Sequence, residues 1–159
     1  MYETVIQNNN INTINLNLQY KNINKLKEYN DMNTEWQKLY DLAMAVINPH
    51  EISKQMYVGS VAAAVLTKRG NIYTGICIDT SSSLGMCAER NAMSTMLANG
   101  ENDIEKVVAV YKDGTVMAPC GACREFMMQL GENARNIEIL LNNDGKSMSL
   151  SELMPEYPY

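Results

Sequence analysis

Apolar residues first fall into a regular rhythm at Thr34. Trp36, Leu39, Ala43, Val46 and Ile47 recur at three- and four-residue spacing, which predicts an amphipathic helix. Thr34 and Gln37 have the spacing of a capping box, and Asn48-Pro49 is a stop signal. Then the rhythm changes. Residues 59–67 form a Val- and Ala-rich run that predicts a buried strand, with a turn at Lys68-Arg69-Gly70-Asn71. Residues 72–78 predict a second strand, and the two together a hairpin. A loop containing Ser and Gly, 79–86, leads into a helix over 87–97 that stops at Asn99-Gly100.

The second half repeats the alternation. Residues 106–111 are almost continuously apolar and predict a strand buried on both faces. Asp113-Gly114 turns the chain, and a helix over 121–130 ends at Gly131. Residues 137–141 predict a fourth strand, followed by a turn over 142–145. Ser149 and Glu152 again have capping-box spacing and start a short helix before Pro155. Helices alternating with strands predict an α/β sandwich around a mixed sheet.

None of this rhythm is present in residues 1–31. Asn, Ile, Lys, Tyr and Leu fill 22 of those 31 positions, nine of them Asn, and the first Ala is Ala43. The break near Met32 divides the chain into an Asn-rich extension, 1–31, and a body, 32–159. Three readings of the extension stand side by side: a polar disordered tail, translation from an AT-rich stretch ahead of a true start at Met32, or an extra helix over 16–29.

Composition narrows the function. Lys plus Arg number 13 against 18 Asp plus Glu, a formal charge of −5, which argues against a nucleic-acid-binding surface. The longest apolar run, 61–66, is far short of the ~20 residues that span a bilayer. Without an export signal the expected location is the cytoplasm, where cysteines serve as metal ligands or catalysts rather than disulfides. His50 is the only histidine, so no His-rich metal site and no two-His acid/base pair is available.

The candidate chemistry lies in Cys87-Ala88-Glu89-Arg90 and Pro119-Cys120-Gly121-Ala122-Cys123-Arg124. Both cysteine groups open a predicted helix, where the helix dipole favours thiolate. Cys-x-x-Cys across a helix start lets two sulfurs face one ion. A third thiolate, from Cys87, leaves one position of a tetrahedral zinc open, the catalytic rather than the structural arrangement. Zinc lowers the pKa of a bound water to about 7, and Glu89, two residues after Cys87, could take that proton and return it to a substrate. The alternatives are a structural zinc knuckle, with Cys77 as the fourth ligand, and a redox Cys-x-x-Cys.

Cys-x-Glu followed by Pro-Cys-x-x-Cys resembles the signature of the zinc nucleobase deaminases, and cysteine in the first ligand position resembles the cytidine and blasticidin-S deaminase branch. Residues 61–67, Gly70, Gly75, both cysteine motifs and Glu152-Leu153-Met154-Pro155 follow that family's order, so the resemblance covers residues 34–159. It implies a three-layer α/β/α sandwich with a mixed sheet of roughly five strands. It implies one Zn²⁺ per subunit on Cys87, Cys120 and Cys123, with Glu89 as proton shuttle. Ala88 falls where the family places backbone near the pyrimidine, and Arg90 and Arg124 match arginines that hydrogen-bond the ligand thiolates. The implied reaction is hydrolytic deamination of a small cytosine-containing substrate, cytidine or deoxycytidine, in a homotetramer without nucleic-acid or membrane partners.

The match is weakest at the sugar. The family's ribose-binding Asn-x-Glu pair is replaced by Cys77-Ile78-Asp79, and the Phe two residues before the first strand's Val falls on Gly59. Cysteine cannot reproduce the amide's hydrogen bonds, which favours a blasticidin-S-like or other cytosine compound as the alternative substrate. Asp79 is read either as a substrate contact or as a strand-end cap, and Cys77 as a small buried hydrophobe or a substrate contact. His50 is expected in a loop, either at the surface or in a local hydrogen bond, and the methionines mostly, with Phe126, in the core. Tyr157 or Tyr159 either reaches a neighbouring subunit's site, as the resemblance implies, or forms an ordinary terminus.

Overall fold

The computed structural model describes residues 33–158; the readings of residues 1–31 and of Tyr159 lie outside them. The element order is α1 (Thr34–Ala45), β1 (His50–Ser53), β2 (Met56–Thr67), β3 (Ile72–Thr80), α2 (Ala88–Ala98), β4 (Ile104–Tyr111) and α3 (Gly121–Met128). A 3₁₀ turn (Glu132–Asn136), β5 (Glu138–Leu140), β6 (Ser147–Ser149) and α4 (Leu150–Leu153) complete it.

Long β2 organises the sheet. β3 pairs along one edge of it, antiparallel, with Ala63 opposite Gly75. On the other edge β4 pairs with residues 61–67 and β1 with residues 56–58, both antiparallel. β4 pairs with β5 in parallel and β5 with β6 antiparallel, so the sheet is mixed. Five strands run β3-β2-β4-β5-β6, close to the roughly five that the resemblance implies, with β6 an addition to the four strands read from the apolar pattern. β1 is a sixth, in line with β4 along the same edge of β2. All four of its residues are exposed, so no hydrophobic alternation announces it. His50 therefore lies in a strand rather than a loop, where its Nδ1–H donates to the Asn48 carbonyl at 2.6 Å.

Period-two alternation along β2 and β4 separates two cores. Ala62, Ala64, Leu66, Val108 and Val110 face α1 and meet Trp36, Leu39 and Ala43. Ala63, Val65, Val107 and Ala109 face the other way and pack on Met93, Met96, Cys123 and Met127 of α2 and α3. The result is the three-layer sandwich. α1 is capped not by Thr34 but by Asn33, whose side chain accepts from the N–H groups of Glu35 and Trp36.

Two glycines set close approaches. A Cβ on Gly75 would collide with the Ala92 nitrogen and lie 2.7 Å from the Ala88 carbonyl oxygen, so glycine lets α2 lie directly on β3. Asn91 secures the contact by donating to the Ile76 carbonyl at 2.9 Å. Gly59 has φ +80°, at the irregularity in β2 pairing between Val58 and Ala62, and a Cβ there would run into the Asn48 carbonyl. Gly59 is thus a backbone requirement, and it does not line the cavity described next.

Candidate active site

Two return loops deliver the cysteines. After β3 the chain folds back so that Ile78 and Met86 exchange both backbone hydrogen bonds at 2.8 Å. Cys87 follows at once as the N-cap of α2. After β4, Val116 bridges back to Val110 and the Met117 N–H donates to the Ala109 carbonyl at 2.9 Å. Three residues later Cys120 is the N-cap of α3. Both helix starts point at the same place.

There the sulfurs meet. The Sγ atoms of Cys87 and Cys120 lie 3.6 Å apart, those of Cys120 and Cys123 3.5 Å, and all three fall within 4.8 Å of one another. Thiolates at about 2.3 Å from a tetrahedral zinc stand about 3.8 Å apart, so the triad fits the ion. Among the described residues no fourth cysteine, histidine or carboxylate completes the group. Cys77, the candidate closing ligand, is engaged elsewhere: its sulfur accepts from the Val61 N–H at 3.3 Å and lies 3.6 Å from an Asp79 carboxylate oxygen. That removes the structural-knuckle alternative with Cys77 as ligand.

The thiols differ in environment. Burial pushes the Cys123 thiol far up, reinforced by the nearby Glu89 carboxylate. Burial also raises Cys87, with its hydrogen bond to Cys120 acting the same way. For Cys120, burial acts upward but is outweighed by hydrogen bonds from the backbone N–H of Cys123, the Cys123 thiol and others, so it is lowered. The start of α3 therefore favours thiolate at Cys120, as its position implies.

Glu89 is 5% exposed, and burial raises its carboxyl above the usual range against the opposing hydrogen bonds of its own backbone N–H and the Cys123 thiol. Arg90 reaches the Cys87 sulfur at 3.9 Å. Arg124, expected to do likewise, is directed elsewhere: Nε donates to the Pro119 carbonyl at 2.9 Å and Nη1 to the Leu153 carbonyl at 3.5 Å. A cavity of about 650 Å³ opens over this cluster, lined by Cys87, Ala88, Glu89, Arg90, Cys120, Cys77 and Asp79. Ser60, Ser82, Ser83, Tyr111 and Met117 also line it and were not singled out from the sequence. Tyr111 and Ser60 sit where a buried apolar run ends in a polar side chain, the one signal that could have marked them.

The comparisons with known proteins agree with this geometry. The profile of the cytidine and deoxycytidylate deaminase zinc-binding region matches residues 34–138. A cytidine deaminase of Halalkalibacterium halodurans is 33% identical over 97 residues, 60% of this chain and 74% of that protein. A blasticidin-S deaminase of Bacillus cereus is 32% identical over 106 residues, with the same two coverages, 60% and 74%. Among solved structures, a cytidine deaminase from Mycobacterium leprae superposes with a TM-score of 0.65 at 25% identity, over 78% of this chain and 100% of that one. One from Burkholderia pseudomallei gives 0.62 at 28% identity, over 79% and 98%. The chain belongs to the cytidine and deoxycytidylate deaminase zinc-binding family and is, by that membership, a zinc-dependent hydrolytic deaminase.

Proposed function

We propose that the chain deaminates a cytosine nucleoside, cytidine or deoxycytidine, to the uracil nucleoside and ammonia. The observation that carries this reading is the open three-cysteine cluster with the buried Glu89 carboxyl beside it in one cavity. Cys87, Cys120 and Cys123 would hold a zinc ion, which would supply the Lewis acidity that makes a water nucleophilic at neutral pH. Glu89 moves the protons: its carboxylate accepts one from the attacking water and delivers it to the ring nitrogen. It then takes a second from the hydroxyl added to the ring carbon and delivers it to the amine, which leaves as ammonia as the carbonyl forms. Burial suits it to the task, because a raised carboxyl holds a proton long enough to hand it on. Arg90 offsets the negative charge of the thiolates from its place beside Cys87. Ala88, buried at the cavity wall, offers backbone to the pyrimidine, and Asp79, an acceptor at the sugar end, takes a hydroxyl.

Cys77 supports a second reading. Its sulfur is committed to the Val61 N–H and to Asp79, so it is a prop for Asp79 and not an amide-like ribose ligand. That favours a blasticidin-S-like cytosine compound as the alternative, in keeping with the similarity to a blasticidin-S deaminase. A homotetramer in the cytoplasm belongs to the same proposal. Exposed Leu84 and Met117 beside the cavity support the assembly, and no helix among the described residues is long and apolar enough to cross a membrane.

Ammonia release against cytidine, deoxycytidine, cytosine, blasticidin S and guanine tests the substrate. Turnover of the nucleosides supports the first reading and turnover of blasticidin S alone the second. Activity on guanine alone, or a folded purified protein without zinc, overturns both.

A further inference from the structure

The segment that leads into Cys120 has few backbone ties to the sheet, although Pro119 and Cys123 are buried. The Met117 N–H is tied to β4, but residues 117–120 form no regular structure, and Cys120 itself is exposed. Pro119 is buried but has no N–H to give, so its carbonyl is its one backbone hydrogen-bonding group. That carbonyl is taken by Arg124 Nε at 2.9 Å. The same guanidinium reaches the carbonyl of Leu153, the last residue of α4, with Nη1 at 3.5 Å. A planar fork of fixed donors can span two carbonyls in this way, whereas a lysine ammonium is a point donor on a flexible stem.

The next residue of α3 repeats the connection. Glu125 accepts from the Tyr157 hydroxyl at 2.8 Å, and the Tyr157 carbonyl accepts from Arg135 at 2.9 Å. α4 is itself fixed by the reciprocal Ser149–Glu152 capping box. Two consecutive side chains of the cysteine-bearing helix are therefore bound to one C-terminal segment of the same subunit. Tyr157 is turned onto its own α3, in contrast to the neighbour-reaching role that the sequence raised for it.

We propose that Arg124 is a positioning residue that fastens the Cys120–Cys123 half of the metal site to the C-terminal segment, with the Tyr157–Glu125 bond as a second fastening. The proposal rests on the reading that these cysteines hold zinc. Its function is to keep the Pro119–Cys120 peptide in the one orientation that leaves the Cys120 sulfur beside the other two. Charge compensation of a thiolate is the competing role, and lysine separates the two. Lysine keeps the charge but cannot bridge the two carbonyls.

The test is the rate at which the zinc-loaded, full-length protein gives up its metal to a chromophoric chelator, with no substrate present. Residues that orient metal ligands change metal affinity by about 10–100-fold when replaced, so Arg124→Gln and Arg124→Lys are both expected to release zinc at least about tenfold faster. The visible absorption of the cobalt-substituted variants should shift as the Cys120 sulfur moves. Tyr157→Phe, a milder change at the edge of the fold, should speed release by a smaller factor, which keeps the proposal testable if the Arg124 variants do not fold. Wild-type release from Arg124→Lys with fast release from Arg124→Gln overturns the bridge in favour of charge. Wild-type release from all three overturns the fastening and leaves the zinc reading intact. Absence of zinc from the wild-type protein overturns the zinc reading itself.

Discussion

Two buried charges, on opposite sides of the sheet, are treated in opposite ways. Lys106 at the start of β4 is 8% exposed and Glu89 at the start of α2 is 5% exposed. Lys106 Nζ lies 2.6 Å from Glu35, 3.3 Å from Glu105 and 3.9 Å from Glu138, with the Trp36 ring centroid at 5.8 Å. Burial pushes its pKa down, but the carboxylates outweigh burial and the net shift is upward, toward the charged form. Glu89 has only its own N–H, the Cys123 thiol and the charge of Arg90, and burial wins. A charge buried for structure is surrounded by its opposites. A charge buried for chemistry is left poorly compensated, so that its proton is available.

The largest effect that could break this contrast comes from Glu89→Gln. Loss of a positioned acid/base removes about 10²–10⁴ in rate, so deamination should fall by that factor while zinc content stays the same. The metal-free protein should respond in the other direction. A carboxyl raised by burial binds its proton more tightly in the native state than in the unfolded chain. The stability it contributes is fully present below its ordinary value near 4.3 and is lost as pH rises through the raised value. Above its ordinary range Glu89 therefore weighs against the metal-free fold, and the neutral amide should raise its Tm by roughly a few degrees. A lower Tm for Glu89→Gln, measured by calorimetry after chelation, would show that Glu89 is compensated after all.

The thiols sharpen the same contrast. Cys87 and Cys123 are both raised chiefly by burial, so zinc must displace their protons to bind. With at least two protons displaced, apparent zinc affinity should fall by at least about a hundredfold for each pH unit of acidification below neutrality. Competition with a chelator over a pH series measures the slope, and a slope near zero would mean that the thiols are already ionised without metal.

Next in size is Gly75→Ala. The new methyl group would meet the backbone of α2 at Ala88 and Ala92, and overpacking of this kind costs about 1–3 kcal/mol. Because α2 carries both Cys87 and Glu89, activity should fall as well as stability. Urea denaturation and a rate assay on one sample distinguish a shifted helix from simple unfolding.

What could be read in the sequence depended on how local the cause was. Cys87 and Cys120 open helices whose periodicity is carried by neighbouring residues, and the hairpin of β2 and β3 follows from two apolar runs around a four-residue turn. β1 was not legible, because its four exposed residues carry no pattern and pair only because β2 extends past β4 to meet them. Gly59 looked like a lost pocket aromatic, but the Asn48 carbonyl, eleven positions away, is what excludes a side chain there. Arg124 is the clearest case. The family resemblance implied a thiolate contact for it, and only the tertiary placement of α4 shows that the guanidinium has Leu153 to reach.

Lys106→Met should give the smallest effect and is the control for the whole comparison. Methionine has a similar reach, and the partner carboxylates of Glu35 and Glu138 are 47% and 51% exposed, so water can solvate them once the lysine is gone. Breaking a buried pair is costly when it strands a buried charge, and replacement by an apolar side chain of similar volume is often neutral. The expected loss is under about 1 kcal/mol, with deamination and zinc content unchanged. A loss several times larger would mean that the Lys106 cluster holds α1 to β4 by charge rather than by Trp36, Leu39 and Ala43 packed on Val108 and Val110. The two buried charges would then differ in partner and not in kind.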